Sequence, residues 1–352
     1  MTNVHFYWFA PTSGDGEHLG TAKPEREANL ENITKVAQAA EDAGFEGILI
    51  PTGVPYLDSW LVGSAIVHHT KKIRPLVAFR PGFIAPTVAS KIATTLDQFS
   101  NGRLLVNVVT GGSQTELAQD GDYTAHDERY ERTGEFLDVI KKTWEQDSVT
   151  HKGKFFETTN AKLFPPVKQE AGIPIYFGGS SDIAKDIAAE HADVFLQWGE
   201  PVAQIKAQIE DVKARATQRG RTLEYGIRLH IVVRETEEEA WEAAHNIISK
   251  IDQNVQQSIQ SLKEGSDSTA QQRMTDIAST TDRFDKYSWT GIGKVRKGAG
   301  TAIVGTPAQV KEALQDYVDV GITHFVLSGF PHAEEATRFG ELVMPQFNEV
   351  HV

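Results

Sequence analysis

Apolar residues fall into two patterns that alternate along the chain. Short continuous apolar runs predict buried strands, and each is followed by apolar residues three and four positions apart, which predict a helix. Ile33, Val36 and Ala40, for example, share one face of a predicted helix, and Gly44 is placed to end it. The predicted strands are His5–Phe9, Gly47–Pro51, Pro75–Phe79, Leu104–Val109, Ile173–Phe177, Val194–Trp198, Tyr225–Val233 and His324–Leu327.

The order of these elements predicts the fold. Eight successive strand–helix units require parallel strands, and that number favours a closed (β/α)8 TIM barrel over an open doubly wound sheet. No G-x-G-x-x-G motif follows the first strand, which weakens a Rossmann interpretation. We therefore expect residues 1–352 to form one α/β barrel domain with insertions.

Two segments exceed what a minimal barrel needs. Residues 148–169 contain two adjacent prolines and predict a hairpin or another extended insertion. Residues 251–300, named here the 251–300 insertion, are polar, rich in Gln, Ser and Asp, and predicted to be irregular. They end in a basic, glycine-rich stretch, so we predict a mobile lid over an active site. A surface insertion without a role is the alternative.

Composition narrows the chemistry. The 352 residues include no cysteine, which excludes disulfides, thiolate metal sites and a cysteine nucleophile. The net charge of −13 argues against a nucleic-acid or anionic-membrane surface, although a local arginine cluster can still bind a small anion. The histidines lack metal-binding spacing, so we expect no metal site. The first residues do not resemble a signal peptide, and no apolar run approaches a membrane span, which predicts a cytoplasmic protein.

The fifth predicted strand ends in a glycine–serine turn. In a barrel of this kind the chemistry lies at the carboxyl ends of the strands, and there the chain reads Gly178-Gly179-Ser180-Ser181 before a helix. Glycines let a ligand approach the backbone, and N–H groups at a helix start bind phosphate. The turn therefore predicts a phosphate site, with Ser181 as a simple helix cap the alternative.

The seventh predicted strand carries an arginine and a histidine. Arg228 and His230 lie two positions apart and therefore project to the same side. A charge in an apolar strand is costly unless it meets a partner, so the pair favours anion binding with proton transfer. Pairing of Arg228 with a buried carboxylate is the alternative. Arg80 and Arg296 are further candidates for the anion pocket, and Trp198 is either a ligand wall or a core residue.

These residues belong to a set of recognisable segments. The chain resembles the flavin-dependent alkanesulfonate monooxygenases of the bacterial-luciferase-like superfamily over nearly its whole length. As a set the segments are far more specific than any one motif. They are Phe9–Gly16, Leu49–Gly53, Tyr176–Asp182, Trp198–Pro201, Gly226–His230, Gly298–Ala302 and Leu327–His332.

The resemblance implies a two-component flavin enzyme. A separate NAD(P)H-dependent flavin reductase would supply FMNH2, and this chain would use it with O2. The C–S bond of an organosulfonate would be cleaved to give sulfite and an aldehyde. Family members form homo-oligomers, so a dimer or a tetramer is implied.

The resemblance also implies roles for single residues. Arg228, His230 and Arg296 would be catalytic, with Arg296 closing over the ligand from the lid. The implied substrate-binding residues are Trp198, Tyr56, Phe330 and Arg80. The implied cofactor-binding residues are Ala78, Asn107, Thr110, Tyr130, Gly179, Ser180 and Ser181.

Three positions depart from the family's pattern. Ser13 replaces a common histidine, Tyr56 a pocket cysteine, and Phe330 a tyrosine before Pro-His. Loss of the tyrosine hydroxyl removes a hydrogen-bonding group from the pocket. Our hypothesis is therefore a specialised substrate such as the sugar sulfonate sulfoquinovose. The alternatives are another luciferase-like flavin or deazaflavin oxidoreductase, and a catalytically silent flavin-binding protein.

Overall fold

Eight parallel strands close into a barrel in the computed structural model, which describes residues 3–348. In chain order the strands are β1 (His5–Phe9), β2 (Gly47–Ile50), β3 (Arg74–Phe79), β4 (Leu105–Val108), β5 (Val149–Lys152), β6 (Glu157–Ala161), β7 (Ile175–Phe177), β8 (Val194–Trp198), β9 (Glu224–Val233), β10 (Arg283–Phe284), β11 (Ser288–Trp289), β12 (Ala302–Gly305) and β13 (His324–Ser328). The barrel order is β1-β2-β3-β4-β7-β8-β9-β13, and β13 pairs with β1 to close it. The predicted TIM barrel and its eight strands are confirmed.

Helices cover the outside of the barrel. In chain order they are α1 (Leu30–Asp42), α2 (Ser59–His69), α3 (Pro86–Phe99), α4 (Gln114–Gln119), α5 (His126–Glu145), α6 (Asp182–His191), α7 (Val202–Gln218), α8 (Glu237–Ile247), α9 (Gln253–Glu264), α10 (Thr269–Thr280), α11 (Pro307–Asp319), α12 (His332–Leu342) and α13 (Pro345–Asn348). Local sequence sets where they start. Thr236 and Glu239 form a capping box at α8, and Thr306 and Gln309 form another at α11.

Alternation along the strands separates two apolar layers. One layer faces the helices and forms the main core, and the other fills the barrel. The barrel interior consists of Tyr7, Phe9, Leu49, Leu76, Leu105, Tyr176, Val194, Leu196 and Val326. Two residues further along their strands, the inward positions become polar at Asn107 and Ser328. The carboxyl end of the barrel is therefore where polar chemistry can take place.

Both insertions contain regular structure. The 148–169 segment forms the predicted hairpin, with β5 and β6 antiparallel. The 251–300 insertion is not irregular, and that expectation was wrong: it holds α9, α10 and the β10–β11 pair. Asp252 and Ser268 cap the two helices, and α9 carries Val255, Ile259 and Leu262 at helical spacing although none of its described residues is buried. Its role as a mobile lid stays a prediction.

The 251–300 insertion is attached to the barrel through the turn between its helices. Ser266 Oγ donates to the carbonyl oxygen of Gly112, just after β4. Asp267 accepts a 2.7 Å hydrogen bond from Arg129, whose side chain is fully buried in α5. These contacts place the insertion over the carboxyl ends of the strands.

No helix within residues 3–348 is long and apolar enough to span a membrane. In the same range, no group of three or more His, Asp or Glu side chains is arranged to hold a metal ion. The ionisable groups that the fold does bring together lie at the barrel mouth.

Candidate active site

Arg228 and His230 lie side by side at the barrel mouth and are joined by a serine. Both side chains are buried, and both belong to β9. Arg228 Nη2 donates a 2.8 Å hydrogen bond to Ser328 Oγ, and that hydroxyl lies 2.8 Å from His230 Nδ1. Ser328 stands opposite His230 in the β9–β13 register, so barrel closure brings the three together.

Both nitrogens of His230 take part in hydrogen bonds. Nε2 lies 3.0 Å from the carbonyl oxygen of Ala299, which can only accept, so Nε2 carries the proton. Nδ1 is then free to accept from the Ser328 hydroxyl. Burial and the nearby charge of Arg228 lower the pKa of His230 well below its usual value, so the ring is neutral.

Arg228 has no carboxylate partner among residues 3–348. Its guanidinium also donates to the carbonyl oxygen of Val326 at 3.4 Å and packs 4.5 Å from the centre of the Phe9 ring. Burial lowers the pKa of Arg228 well below its usual value, and the charge of Arg296 adds to the shift. Pairing with a buried carboxylate, the alternative weighed from sequence, is therefore wrong for the described chain. A buried cation without a counter-ion favours an anionic ligand.

Arg296 approaches the same aromatic ring from the 251–300 insertion. Its guanidinium carbon lies 5.0 Å from the centre of the Phe9 ring. Within residues 3–348 this guanidinium forms no ion pair either. Arg228 and Arg296 therefore share one apolar platform, and their combined charge is available to a ligand.

Arg80 differs from these two arginines because it is already paired. Its Nη2 donates a 2.5 Å hydrogen bond to Glu116 Oε1 in α4, and Asp120 lies 3.8 Å away. Glu116 also accepts from Lys297 at 3.1 Å. Burial alone would raise the pKa of Glu116, but Arg80 and Lys297 outweigh it and lower the pKa. The Arg80–Glu116–Lys297 cluster thus ties β3, α4 and the 251–300 insertion together, and substrate binding by Arg80 stays a prediction.

The other predicted substrate residues lie around the arginine pair. Trp198 is opposite Arg228 in the β8–β9 register, and a side chain at Gly298 would come within 3.7 Å of its ring. The Phe330 ring stacks on His230 with 5.5 Å between centres. Tyr56, half-buried in the loop after β2, is close enough to Arg228 to influence the pKa of that guanidinium. The barrel therefore brings these three predicted residues to one mouth.

The predicted cofactor residues form a second group, on β3, β4 and the segments beside them. Ala78 and Asn107 are partners in the β3–β4 register, and both are buried. Thr110 is buried just past β4, and its Oγ1 finds no hydrogen-bond partner in the described chain. Burial raises the pKa of Tyr130 to about 12, so its phenol is neutral. A side chain at Gly179 would come within 3.1 Å of the Tyr130 hydroxyl, so this glycine keeps the space open.

Both serines of the glycine–serine turn have local partners. Ser181 caps α6 by accepting from the backbone N–H of Ala184, which confirms the cap weighed as the alternative. Ser180 Oγ accepts a 2.7 Å hydrogen bond from Arg273 in α10. Arg273 is itself bound to the buried carboxylate of Glu200 at 2.8–3.0 Å. Each hydroxyl retains a proton to donate, so phosphate binding at this turn stays a prediction.

A cavity of about 460 Å³ lies inside the 251–300 insertion. Four glutamines and three cationic side chains are among the residues that border it, and no carboxylate is among the described ones. The glutamine and cationic side chains at this cavity include Gln256, Gln257, Gln260, Gln271, Lys263 and Arg296. Because Arg296 also reaches the Phe9 ring, this cavity adjoins the barrel mouth.

Residues 4–324 match the family described as luciferase-like monooxygenase. The chain belongs to this family. The match spans the eight barrel strands up to the first residue of β13, including the arginine pair and the 251–300 insertion.

Solved structures of similar fold cover nearly all of this luciferase-like chain. A long-chain alkane monooxygenase is 22% identical, with a TM-score of 0.83 over 99% of this chain and 92% of its own. A riboflavin lyase with modified FMN and riboflavin is 20% identical, with a TM-score of 0.82 over 98% and 91%. An F420-dependent secondary alcohol dehydrogenase is 18% identical, with a TM-score of 0.69 over 97% and 98%. At such identities the likeness concerns the fold alone.

Three residues of this luciferase-like site escaped sequence reasoning. Phe9 and Ser328 were predicted only as members of segments shared with the family, without a role in the site, and Arg273 was not singled out at all. Ser328 could have been found, because it follows the inward-facing Val326 by two positions and therefore faces the barrel mouth. Arg273 carried no such signal, since a basic residue in a polar helix is ordinarily exposed.

Proposed function

We propose that this chain is a reduced-FMN-dependent monooxygenase that cleaves the C–S bond of an organosulfonate. The overall reaction is RCH2SO3⁻ + O2 + FMNH2 → RCHO + HSO3⁻ + FMN + H2O. The observation that carries the proposal is the pairing of Arg228 and Arg296 over the Phe9 ring without a carboxylate partner in residues 3–348. A sulfonate is a trigonal anion, and planar guanidinium groups bind such oxygens in matched pairs.

The residues around the arginines suit a small organic group attached to that anion. Trp198 and Phe330 provide aromatic surface beside Arg228 and His230. The 251–300 insertion covers the same place through Ala299, whose carbonyl oxygen accepts from His230, and Gly298, whose N–H donates to Gln271 at 2.9 Å. Such a cover would exclude water from the site. Exclusion of water is needed if the reaction of reduced flavin with O2 is to oxygenate the substrate efficiently.

The residues present fit an FMN cofactor. Thr110 Oγ1, which has no hydrogen-bond partner among residues 3–348, is a buried polar atom that a flavin could satisfy, and Gly179 leaves room beside Tyr130. Ser180, Ser181 and the first N–H groups of α6 are donors of the kind that hold a phosphate. Bound FMNH2 would supply the two electrons that activate O2. This chain's residues would orient the flavin, bind the sulfonate and exclude water.

The cavity in the 251–300 insertion supports a hydroxylated substrate. Gln256, Gln257 and Gln260 offer amide donors and acceptors of the kind that bind sugar hydroxyls, and Arg296 lies where the cavity meets the mouth. The sugar sulfonate sulfoquinovose combines hydroxyls with a sulfonate, and we propose it as the preferred substrate. We further propose that the protein is cytoplasmic, that it forms a homo-oligomer, and that it receives reduced flavin from an NAD(P)H-dependent flavin reductase.

A sulfite-release assay on a panel of sulfonates tests the substrate. The purified chain is supplied with a flavin reductase, NADH, FMN and O2, and is offered sulfoquinovose and linear alkanesulfonates of two to eight carbons. We expect sulfite from sulfoquinovose at the highest kcat/KM. Equal rates on the linear compounds and none on the sugar would exclude the sugar sulfonate. Turnover with a deazaflavin and without O2 would favour a hydride transferase. Flavin binding without any turnover would favour a catalytically silent flavin-binding protein.

A further inference from the structure

Asp15 and His332 form a buried pair beside the arginine site. The Asp15 carboxylate is completely buried, and the His332 side chain is nearly so. His332 Nδ1 lies 2.8 Å from Asp15 Oδ1, and the backbone N–H of His332 donates to the same oxygen at 3.1 Å. The N–H of Gly16 adds a third bond at 2.8 Å. The pair joins the loop after β1 to the start of α12.

The carboxylate determines which nitrogen of His332 carries the proton. Burial alone would raise the pKa of Asp15, but the His332 ring and the backbone N–H groups outweigh it and lower the pKa. An ionised carboxylate can only accept, so His332 Nδ1 carries the hydrogen and Nε2 is left bare.

The bare Nε2 of His332 is a buried acceptor without a donor. It has no hydrogen-bond partner among residues 3–348, which is uncommon for a buried polar atom and costly unless a ligand supplies one. The ring makes an edge contact with Phe330 at 4.9 Å between centres, and Phe9 lies 6.4 Å away. His332 therefore presents an open acceptor next to the rings that carry Arg228 and His230.

His230, unlike His332, has no free acceptor nitrogen. Its Nε2 donates to Ala299 and its Nδ1 accepts from Ser328, so the neutral ring has no free lone pair. The two imidazoles of the mouth therefore hold opposite tautomers. His332 can accept a proton without breaking a hydrogen bond, whereas His230 must lose one first.

We propose that His332, rather than His230, is the proton acceptor of this site, and that Asp15 is its positioning residue. The inference rests on the proposed organosulfonate reaction. Oxygenation of the carbon next to sulfur gives an α-hydroxysulfonate, which breaks down when its hydroxyl proton leaves. The oxygen lone pair then forms the C=O bond, the C–S bond breaks, and its electron pair departs with sulfite. His332 Nε2 takes the proton, and the Asp15 carboxylate stabilises the imidazolium.

Other charged groups lie near the Asp15–His332 pair on two sides. Arg26 lies 3.9 Å from Asp15 Oδ2 but makes its closer contact, 2.9 Å, with Glu334 of α12. On the barrel side the facing groups are the neutral His230 ring and the guanidinium groups of Arg228 and Arg296, whose positive charges oppose a further cation. Asp15 is the carboxylate in contact with the His332 ring, so its removal should have the largest electrostatic effect.

The first test needs neither flavin nor substrate. Long-range 1H–15N NMR of the full-length protein, with rings assigned through His332→Gln and His230→Gln, reports the tautomer of each histidine. We expect the His332 proton on Nδ1 and the His230 proton on Nε2. A His332 ring protonated on Nε2 would overturn the proposal, and so would a bare, non-bonded nitrogen on His230.

The second test uses the pH profile of sulfite release. Asp15→Asn keeps an oxygen acceptor for Nδ1 but removes the charge. The acid limb of kcat should therefore move to lower pH, and kcat should fall at least tenfold while KM changes less than twofold. His332→Gln should abolish the limb, and His230→Gln should retain it. His191→Gln, a buried histidine in the outer helix layer, is the matched control and should leave the profile unchanged.

The outcomes of these tests distinguish a failure of the His332 proposal from a failure of the proposed organosulfonate reaction. A limb that stays in place in Asp15→Asn, or that disappears in His230→Gln and persists in His332→Gln, would overturn the role of His332. An Asp15–His332 pair that only joins two loops would change thermal stability without moving the limb. If the wild-type protein releases no sulfite, the proposed function fails, and the NMR tautomers still decide which imidazole can accept a proton.

Discussion

Single side chains determine the charge at the barrel mouth. The whole chain carries a formal charge of −13, yet Arg228 and Arg296 meet there without a carboxylate among residues 3–348. At contact distances in a partly buried site, local charges outweigh a screened distant field. The site can therefore bind an anion although the protein repels anions from afar.

Replacing Arg296 by Ala tests how much the positive charge of this one side chain contributes to turnover. A hydrogen bond to a charged group contributes about 1.5–3 kcal/mol, so we expect kcat/KM for sulfite release to fall roughly 10- to 100-fold. Arg296→Lys keeps the charge but not the planar fork and should recover only part of the loss. Lys152→Ala, an exposed residue of β5 away from the barrel mouth, serves as the control. Unchanged turnover in Arg296→Ala, with an unchanged circular dichroism spectrum, would contradict the role.

Replacing Ser328 by Ala tests the bridge between Arg228 and His230. The change leaves Arg228 Nη2 without its 2.8 Å partner and His230 Nδ1 without its donor. Leaving buried polar atoms unpaired should lower the free energy of unfolding by about 1–3 kcal/mol. Urea denaturation measures this, with the exposed Ser258→Ala as the control. A change below about 0.5 kcal/mol, the range of ordinary surface substitutions, would show that the bridge adds nothing.

Secondary-structure elements supply the contacts that single residues need. β9 carries Arg228 and His230, β13 carries Ser328, and closure of the barrel brings them together. The 251–300 insertion adds Arg296 and is held to the barrel by Lys297, Ser266 and Asp267. The site is therefore complete only when strands and insertion are both in place.

The Arg80–Glu116–Lys297 cluster should make stability depend on pH. The pKa of Glu116 is lowered in the folded protein, so its contribution is fully present above the unfolded value of about 4.3 and is lost as the pH falls through the folded value. Wild type should thus be more stable than Glu116→Gln at neutral pH, and the difference should vanish in acid. Thermal melts from pH 7 to pH 3 measure it. Glu157→Gln, an exposed residue of β6, should show no such trend, and a pH-independent difference for Glu116→Gln would contradict the assignment.

At the scale of the whole molecule, the barrel was predictable and much of the site was not. Buried parallel strands are continuous apolar runs, so the eight strands could be placed from sequence. α9 was missed although Val255, Ile259 and Leu262 recur at helical spacing, because the residues between them are Gln and Ser and none of its described residues is buried. Asp15 and His332 are 317 positions apart and meet only because the barrel closes. Contacts between residues so far apart in the sequence are not predicted by the local spacing of apolar residues.

Sulfite release by the purified chain, with and without O2, tests the central claim most directly. The protein is supplied with FMNH2 from a flavin reductase and with sulfoquinovose, and sulfite is measured against NADH consumed. We predict about one sulfite per NADH in air and none under nitrogen. Loss of flavin electrons to hydrogen peroxide in air, without any sulfite from sulfoquinovose or a linear sulfonate, would contradict the account.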